Sequence, residues 1–183
     1  GYSDLAVDVN QVQQLILEGR GTRYLKEGLR VVIAGRPNVG KSSLLNALLG
    51  EERAIVTTTA GTTRDLIDER CTISGYPVRL IDTAGLRETT EEAERIGVDR
   101  ARAAMERADL ILLVLDGSVR LTQADEALLS ETAASKRLVL ANKMDLFAGQ
   151  SRADNACLDP RVDLCVSAAS GEGLEELRRR IPT

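Results

Sequence analysis

No histidine occurs among the 183 residues. That removes Ser-His-Asp nucleophile activation, histidine zinc ligation and imidazole general bases in one stroke. Chemistry in this chain must come from carboxylates, hydroxyls, cations and the backbone. Cysteine is scarce as well. Cys71, Cys157 and Cys165 are odd in number and lack C-x-x-C spacing, so they read as small core or surface residues of a reduced, cytoplasmic protein. No apolar window approaches the length that spans a bilayer and no signal peptide is visible, so no membrane partner is expected. Positive charge is not in excess either. With 24 Lys and Arg against 28 Asp and Glu, the net charge is −4, which argues against a stand-alone electrostatic nucleic-acid binder. A chain 43% hydrophobic and 28% charged suits one globular domain with some extra helix.

What is present centres on Gly35-Arg36-Pro37-Asn38-Val39-Gly40-Lys41-Ser42, which fits the G-x-x-x-x-G-K-[ST] phosphate loop. Leu29 to Ala34 before it is a short, β-branched run that reads as a buried strand. Ser43 to Leu49 after it carries Leu44, Leu45, Leu48 and Leu49 at helical spacing, with Gly50 as the expected C′ stop. The glycines let backbone N–H groups of Asn38, Val39, Gly40 and the following residues, Ser43 included, point at phosphate oxygens. The helix N-terminus adds about half a unit of positive charge there. Lys41 is placed for the terminal phosphates and the Ser42 hydroxyl for Mg²⁺. This pattern predicts a nucleoside triphosphate site.

Around the loop the chain divides. Residues 1–28 carry a helical stripe (Val9, Val12, Leu15, Ile16) that Gly19 and Gly21 break, so they read as a flanking segment of a larger protein, and 29–183 as the nucleotide domain. A helix packed on the domain is the equal alternative. Glu51 to Asp65 is polar and threonine-rich. After a phosphate loop, its Thr57, Thr58, Thr59, Thr62 and Thr63 sit where nucleotide contacts belong, with Thr63 as the switch ligand to Mg²⁺ and the γ-phosphate. Leu66 to Ser74 and Pro77 to Thr83 predict a hairpin turning at Gly75-Tyr76. It ends in Asp82-Thr83-Ala84-Gly85, which places Asp82 to hold Mg²⁺ through water and the Gly85 N–H to sense a γ-phosphate.

A charged stretch from Leu86 to Gly97 precedes a helix with Val98, Ala101, Met105 and Ala108 on one stripe. Leu110 to Leu115 reads as a strand buried on both faces, Glu126 to Ala134 as a helix, and Leu138 to Ala141 as the next strand. That strand runs into Asn142-Lys143-Met144-Asp145. Here the Asp145 carboxylate can accept from the N1–H and 2-amino group of guanine, whereas adenine would leave it desolvated and unpaired. Asn142 would tie this loop to the phosphate loop. Val162 to Val166 reads as a last strand, after which Ser167-Ala168-Ala169 offers backbone N–H groups to the guanine oxygen. Leu174, Leu177 and Ile181 mark a final amphipathic helix with arginines at its C-terminal end. Residues 147–160 carry no signal beyond a variable loop. Together the pattern predicts an α/β, three-layer P-loop nucleoside triphosphatase fold, with a mostly parallel six-stranded sheet, one antiparallel edge strand and helices on both faces.

Five motifs in this order resemble a G domain of the translation-factor-like superfamily. The run Asp82-Thr83-Ala84-Gly85-Leu86-Arg87-Glu88, followed by Glu94-Arg95-Ile96-Gly97, resembles the MnmE/TrmE family of tRNA-modification GTPases. Gly35-Arg36-Pro37-Asn38 and Ala60-Gly61-Thr62-Thr63-Arg64-Asp65 match that family too, and the resemblance covers about residues 29 to 181. It implies GTP hydrolysis coupled to modification of the wobble uridine of certain tRNAs, with a flavoprotein partner and with tRNA contacts made mainly outside this domain. Ribosome-assembly GTPases of the Era or Der type share Gly35 to Ser42 but lack the Leu-Arg-Glu…Glu-Arg-Ile-Gly segment. A nucleotide-dependent binding module with little hydrolysis is the further alternative.

The residue after D-x-x-G is Leu86, where Ras-like enzymes place a water-orienting glutamine. Leucine can do no such work, and an arginine finger, worth about 10³ to 10⁵ in rate, has no evident source. The resemblance implies K⁺ in that role, held by Asn38, Thr57, Thr59 and Thr62 with the phosphates while two G domains dimerise. It also implies Glu94 as the catalytic residue that orients water. Arg64 and Arg87 are candidate loop anchors.

Overall fold

The computed structural model describes residues 23, 24, 27–50, 67–83, 91–147 and 155–183. Six strands form one sheet: β1 (Leu29–Ala34), β2 (Ile67–Ile73), β3 (Tyr76–Asp82), β4 (Leu110–Asp116), β5 (Arg137–Asn142) and β6 (Leu164–Cys165). Their order is β2-β3-β1-β4-β5-β6, with β2 antiparallel at the edge and the other pairings parallel. Among the described residues, four helices accompany them: α1 (Lys41–Leu49), α2 (Glu91–Glu106), α3 (Gln123–Glu131) and α4 (Leu174–Arg180). The expected α/β class, the six strands and the antiparallel edge are borne out.

Alternation along the strands builds a core on each face. On one, Val31, Ile33, Leu80, Leu112 and Leu140 meet Leu44 and Leu48 of α1 and Leu174 and Leu177 of α4. On the other, Ile111, Leu113, Leu115 and Val139 meet Leu129 of α3 and Met105 of α2. Every residue of β4 is buried, as a central parallel strand requires. β1 neighbours β3 on one side and β4 on the other, so its C-terminal end opens a crevice where the connections diverge.

Several local expectations shift. The hairpin turns at Ser74-Gly75, one residue before the expected Gly75-Tyr76, because both turn residues take positive φ (51° and 83°), as a tight two-residue turn demands. Gly50 closes α1 at the expected place but in the right-handed conformation (φ −64°), so it is not a left-handed cap. The helix expected to follow Gly97 already begins at Glu91. Its inward stripe runs through Gly97, Ala101 and Met105, leaving Val98 53% exposed, and Ala108 packs beyond the helix end. A face defined by a glycine carries no hydrophobic signal.

The helix expected over Glu126 to Ala134 lies at Gln123–Glu131, because Thr122 and Asp125 form a reciprocal capping box that starts it earlier. The last strand pairs only at Leu164–Cys165, not over Val162 to Val166. Beside it, Asp163 Oδ2 accepts the Val139 N–H at 2.7 Å while the Asp163 N–H donates to the Val139 carbonyl at 2.8 Å, so a side chain supplies one of the two bonds there. Two short 3-10 turns, Met144–Phe147 and Ala156–Leu158, lie in and beside the stretch expected to be loop. Of the cysteines, Cys71 lies in the core and Cys165 at the surface.

Of the flanking segment, Arg23 pairs with Asp109, and Tyr24 Oη donates to the same carboxylate at 3.4 Å. The end of that segment therefore packs on the domain. The stripe from Val9 to Ile16 lies outside the described residues. Among those described, no helix is long and apolar enough to cross a membrane.

Candidate functional site

β1 delivers the chain to a loop whose backbone is dictated by its neighbours. A Cβ on Gly35 (φ 154°) would run into the Val114 carbonyl of the adjacent strand. Asn38 (φ 66°) and Gly40 (φ 96°) are left-handed, and a Cβ on Gly40 would collide with Asn142 Nδ2. Gly40 is the N-cap of α1, and its carbonyl accepts from Leu44 N at 2.9 Å. The first-turn N–H groups ahead of Leu44 have no acceptor within the helix, and they face the loop's concavity by construction. Lys41 is 6% exposed and its Nζ donates to the carbonyls of Gly35 and Arg36, each at 2.8 Å. The ammonium thus already sits inside the loop that a phosphate would fill.

Beside it lies a corner of hard oxygens. Ser42 Oγ donates to Asp82 Oδ2 at 3.0 Å, and Asp82 is fully buried at the end of β3, paired in register with Ile33. One hydroxyl and one carboxylate at the mouth of a phosphate loop are a fitting donor set for Mg²⁺, which takes its remaining ligands from phosphates and water. Thr83 does something else. Its Oγ1 donates to the Ile33 carbonyl at 2.9 Å, fastening the end of β3 to β1.

The opposite end is built on Asn142, 2% exposed. Its Nδ2 donates to the Val39 carbonyl at 2.9 Å, and its Oδ1 accepts the Ala168 N–H at 3.0 Å. One side chain therefore holds the phosphate loop and the Ser167-Ala168 loop together, as expected for the first of these. In this structure the Ala168 N–H is engaged by Asn142. Ser167 Oγ donates to Asp145 Oδ1 at 2.6 Å, which fixes the carboxylate's orientation. Ala169 is exposed on the same loop. Lys143, left-handed at φ 67°, donates from Nζ to Asp116 Oδ2 at 2.7 Å. Burial pushes the Asp116 carboxyl up, but hydrogen bonds from Lys143 and Ser118 overcome that and hold it below the ordinary carboxylate range.

The structure thus brings together Asn38 to Ser43, Asp82, Asn142 to Asp145 and Ser167 to Ala169. Thr57, Thr58, Thr59, Thr62, Thr63, Ala84 and Gly85 lie outside the described residues, as do Arg64 and Arg87. Glu94 falls on α2. Two pairings at the site escaped the sequence. Asp116 ends the apolar run of β4 as Asp82 ends β3, and an acid at the C-terminal end of a parallel strand was the signal available. Arg36 donates from Nε to Asp125 Oδ2 at 3.1 Å, a pairing across 89 residues that no local pattern announces.

The family described as 50S ribosome-binding GTPases matches residues 30–143. The chain belongs to this GTPase family. Among relatives, it is 51% identical over 172 residues to the tRNA modification GTPase MnmE of Enterococcus faecalis, covering 93% of this chain and 37% of that protein. It is 49% identical over 189 residues to the MnmE of Heliobacterium modesticaldum, covering 99% and 40%. The resemblance read from the motifs is borne out, and the chain is the G domain, spanning about two fifths of the length of such relatives. Among solved structures, it is similar to a point variant of Aquifex aeolicus Era bound to GDP·AlF4⁻ (TM-score 0.63, 30% identity), covering 83% of this chain and 55% of that one. The G domain of the T. maritima FeoB iron transporter shares the fold (TM-score 0.58, 29% identity), covering 84% and 96%. Family and relatives make this a GTP-hydrolysing enzyme.

Proposed function

We propose that this G domain, residues 29–183 with 1–28 as a flanking segment, hydrolyses GTP in a K⁺-stimulated reaction completed by pairing of two copies. In the longer protein, in the cytoplasm, we propose that the cycle is coupled to modification of the tRNA wobble uridine with a flavoprotein partner. The observation that carries the nucleotide part is the Asn142 side chain, bonded to Val39 of the phosphate loop and to Ala168 beside the base loop. It fixes the separation between a phosphate grip and a base reader.

Asp145, held by Ser167, accepts from the N1–H and 2-amino group of guanine. Adenine supplies neither donor, and sites of this kind reject such analogues by about 10⁴-fold or more. Lys41 exchanges the carbonyls of Gly35 and Arg36 for β- and γ-phosphate oxygens. Ser42, Thr63 and, through water, Asp82 would hold Mg²⁺, which would neutralise phosphate charge. Asn38, Thr57, Thr59 and Thr62 would hold K⁺, which would supply the positive charge that an arginine finger supplies elsewhere. Thr83 acts on the strands, while Ala84 and Gly85 follow the γ-phosphate. Glu94 orients the attacking water, the task Leu86 cannot perform.

The test is GTP turnover in K⁺ against Na⁺, with sedimentation in GDP and aluminium fluoride. Stimulation of at least about tenfold and a dimer only in K⁺ are expected; equal rates in both salts remove the cation. Glu94→Ala is expected to keep GTP affinity and lower kcat by about tenfold or more; unchanged turnover removes Glu94 from the mechanism. A ribosome-linked role is the second reading, favoured by the family description and by the likeness to Era. Identity near 50% to the tRNA-modification relatives against 30% to Era weighs for the first.

A further inference from the structure

Asp125 is 1% exposed, and its bonding is lopsided. Oδ2 takes three donors: the Thr122 N–H at 2.9 Å, Thr122 Oγ1 at 2.7 Å and Arg36 Nε at 3.1 Å. Oδ1 is buried with no hydrogen-bond partner among the described residues. The capping box of α3 needs only the Thr122 contacts. The Arg36 contact is a separate matter. It fastens the phosphate loop to a helix that packs on the other face of the sheet, and it sets a guanidinium against a carboxylate that burial would otherwise leave without a cation.

Arg36 also carries, on its backbone, one of the two carbonyls that accept from Lys41 Nζ. When phosphate oxygens draw Lys41 away, those carbonyls lose their donor. Among the described residues, Val39 to Asn142 and Arg36 to Asp125 are long-range tethers that then hold the loop from outside. The first faces the base end, and the second the opposite shoulder of the loop.

We propose that Asp125 is a positioning residue for the phosphate grip: through Arg36 it fixes the phosphate loop in its binding shape without touching the nucleotide. This rests on the nucleotide reading above. A carboxylate on a helix start thereby contributes to phosphate affinity from behind the loop. Base recognition, set by Asp145, is independent of it.

The experiment is a double-mutant cycle of Arg36→Gln, Asp125→Asn and both together, with GDP affinity by calorimetry and GTP turnover in Mg²⁺ and K⁺. Each single change is expected to weaken GDP binding about tenfold and raise KM by the same factor. Turnover at saturating GTP stays within about twofold, since the nucleotide is seated once bound. The double variant is expected to lose about tenfold, not about a hundredfold, because the second change removes a tether already cut. Preference for guanine over xanthine nucleotides is unchanged in all three. A merely structural role would lower kcat and affinity together. Asn at 125 keeps an oxygen for the Thr122 cap and removes the charge that holds the Arg36 guanidinium; should that variant fail to fold, Arg36→Gln alone decides, because Arg36 is 22% exposed and outside the cap. Unchanged GDP affinity in Arg36→Gln, or multiplied losses in the pair, overturns the proposal. Absence of GDP binding by the unmodified protein is the distinguishable failure, since it removes the nucleotide reading itself.

Discussion

Asn142 and Val39 stand 103 residues apart and meet in a buried hydrogen bond, Nδ2 to carbonyl oxygen, at 2.9 Å. The same amide accepts from Ala168 through Oδ1, so both of its polar atoms are committed to backbone. This side chain joins the phosphate loop directly to the loop after β6.

Asn142→Ala leaves the Val39 carbonyl and the Ala168 N–H short of a partner. Each orphaned buried group costs about 1–3 kcal/mol. We expect a lower urea midpoint with unchanged slope, and GDP affinity reduced by about a hundredfold because phosphate and base ends lose their common anchor. Calorimetric titration checks the second effect; affinity within twofold of the parent would show that the tether is idle.

Gly40→Ala meets two obstacles. The left-handed backbone costs a non-glycine residue about 1–2 kcal/mol, and the added methyl would displace Asn142 Nδ2 from its place. Loss of GDP binding with a lower melting temperature is the expected outcome. Gly75, also left-handed but with nothing near its Cβ, is the control. Gly75→Ala should lower stability alone and leave nucleotide affinity as it was.

Asp145→Asn replaces an acceptor by a group that donates, while Ser167 still holds the side chain. Preference should move from guanine to xanthine nucleotides, whose second carbonyl needs that donor, by about a hundredfold or more in relative affinity. Competition between GDP and XDP for a fluorescent analogue reads it directly. A variant that binds both weakly and equally would place the base elsewhere.

The pH dependence follows from Asp116. Its carboxyl lies below the ordinary value of 3.8, because the donors from Lys143 and Ser118 outweigh burial. A carboxyl depressed in the folded state adds its stability above the unfolded value and loses it only as pH falls through the folded one. The Asp116–Lys143 pair is therefore intact at neutral pH and fails only in acid, below pH 3.8. With no histidine in the chain, GDP affinity should be flat from about pH 7 to 8, above the second ionisation of the nucleotide's own terminal phosphate at about pH 6. A slope in calorimetric affinity across that range would reveal a titrating group that the described site does not contain.

Elements with a strong internal period were legible in advance. β1 and β4 declared themselves as apolar runs, and α4 by its leucines and terminal arginines. Boundaries set by local hydrogen bonding were less so. The capping box between Thr122 and Asp125 moved α3 three residues earlier, and the glycine on the inner face of α2 hid where that face begins. The site divided in the same way. Asn142 and Asp145 were read from their spacing, whereas the Lys143 pairing with Asp116 and the Arg36 pairing with Asp125 were not.

By itself the sequence determined the chemistry available: a glycine-rich loop between strand and helix, an acid at a strand end, and a base-reading carboxylate, with imidazole ruled out. These are short-range facts, because loop conformation and strand–helix succession follow from neighbouring residue types. Only the tertiary structure decided which distant groups hold those motifs in place. Asn142 reaches Val39, and Asp125 reaches Arg36, because parallel strands carry their C-terminal ends to one edge of the sheet, where residues far apart in the chain become neighbours.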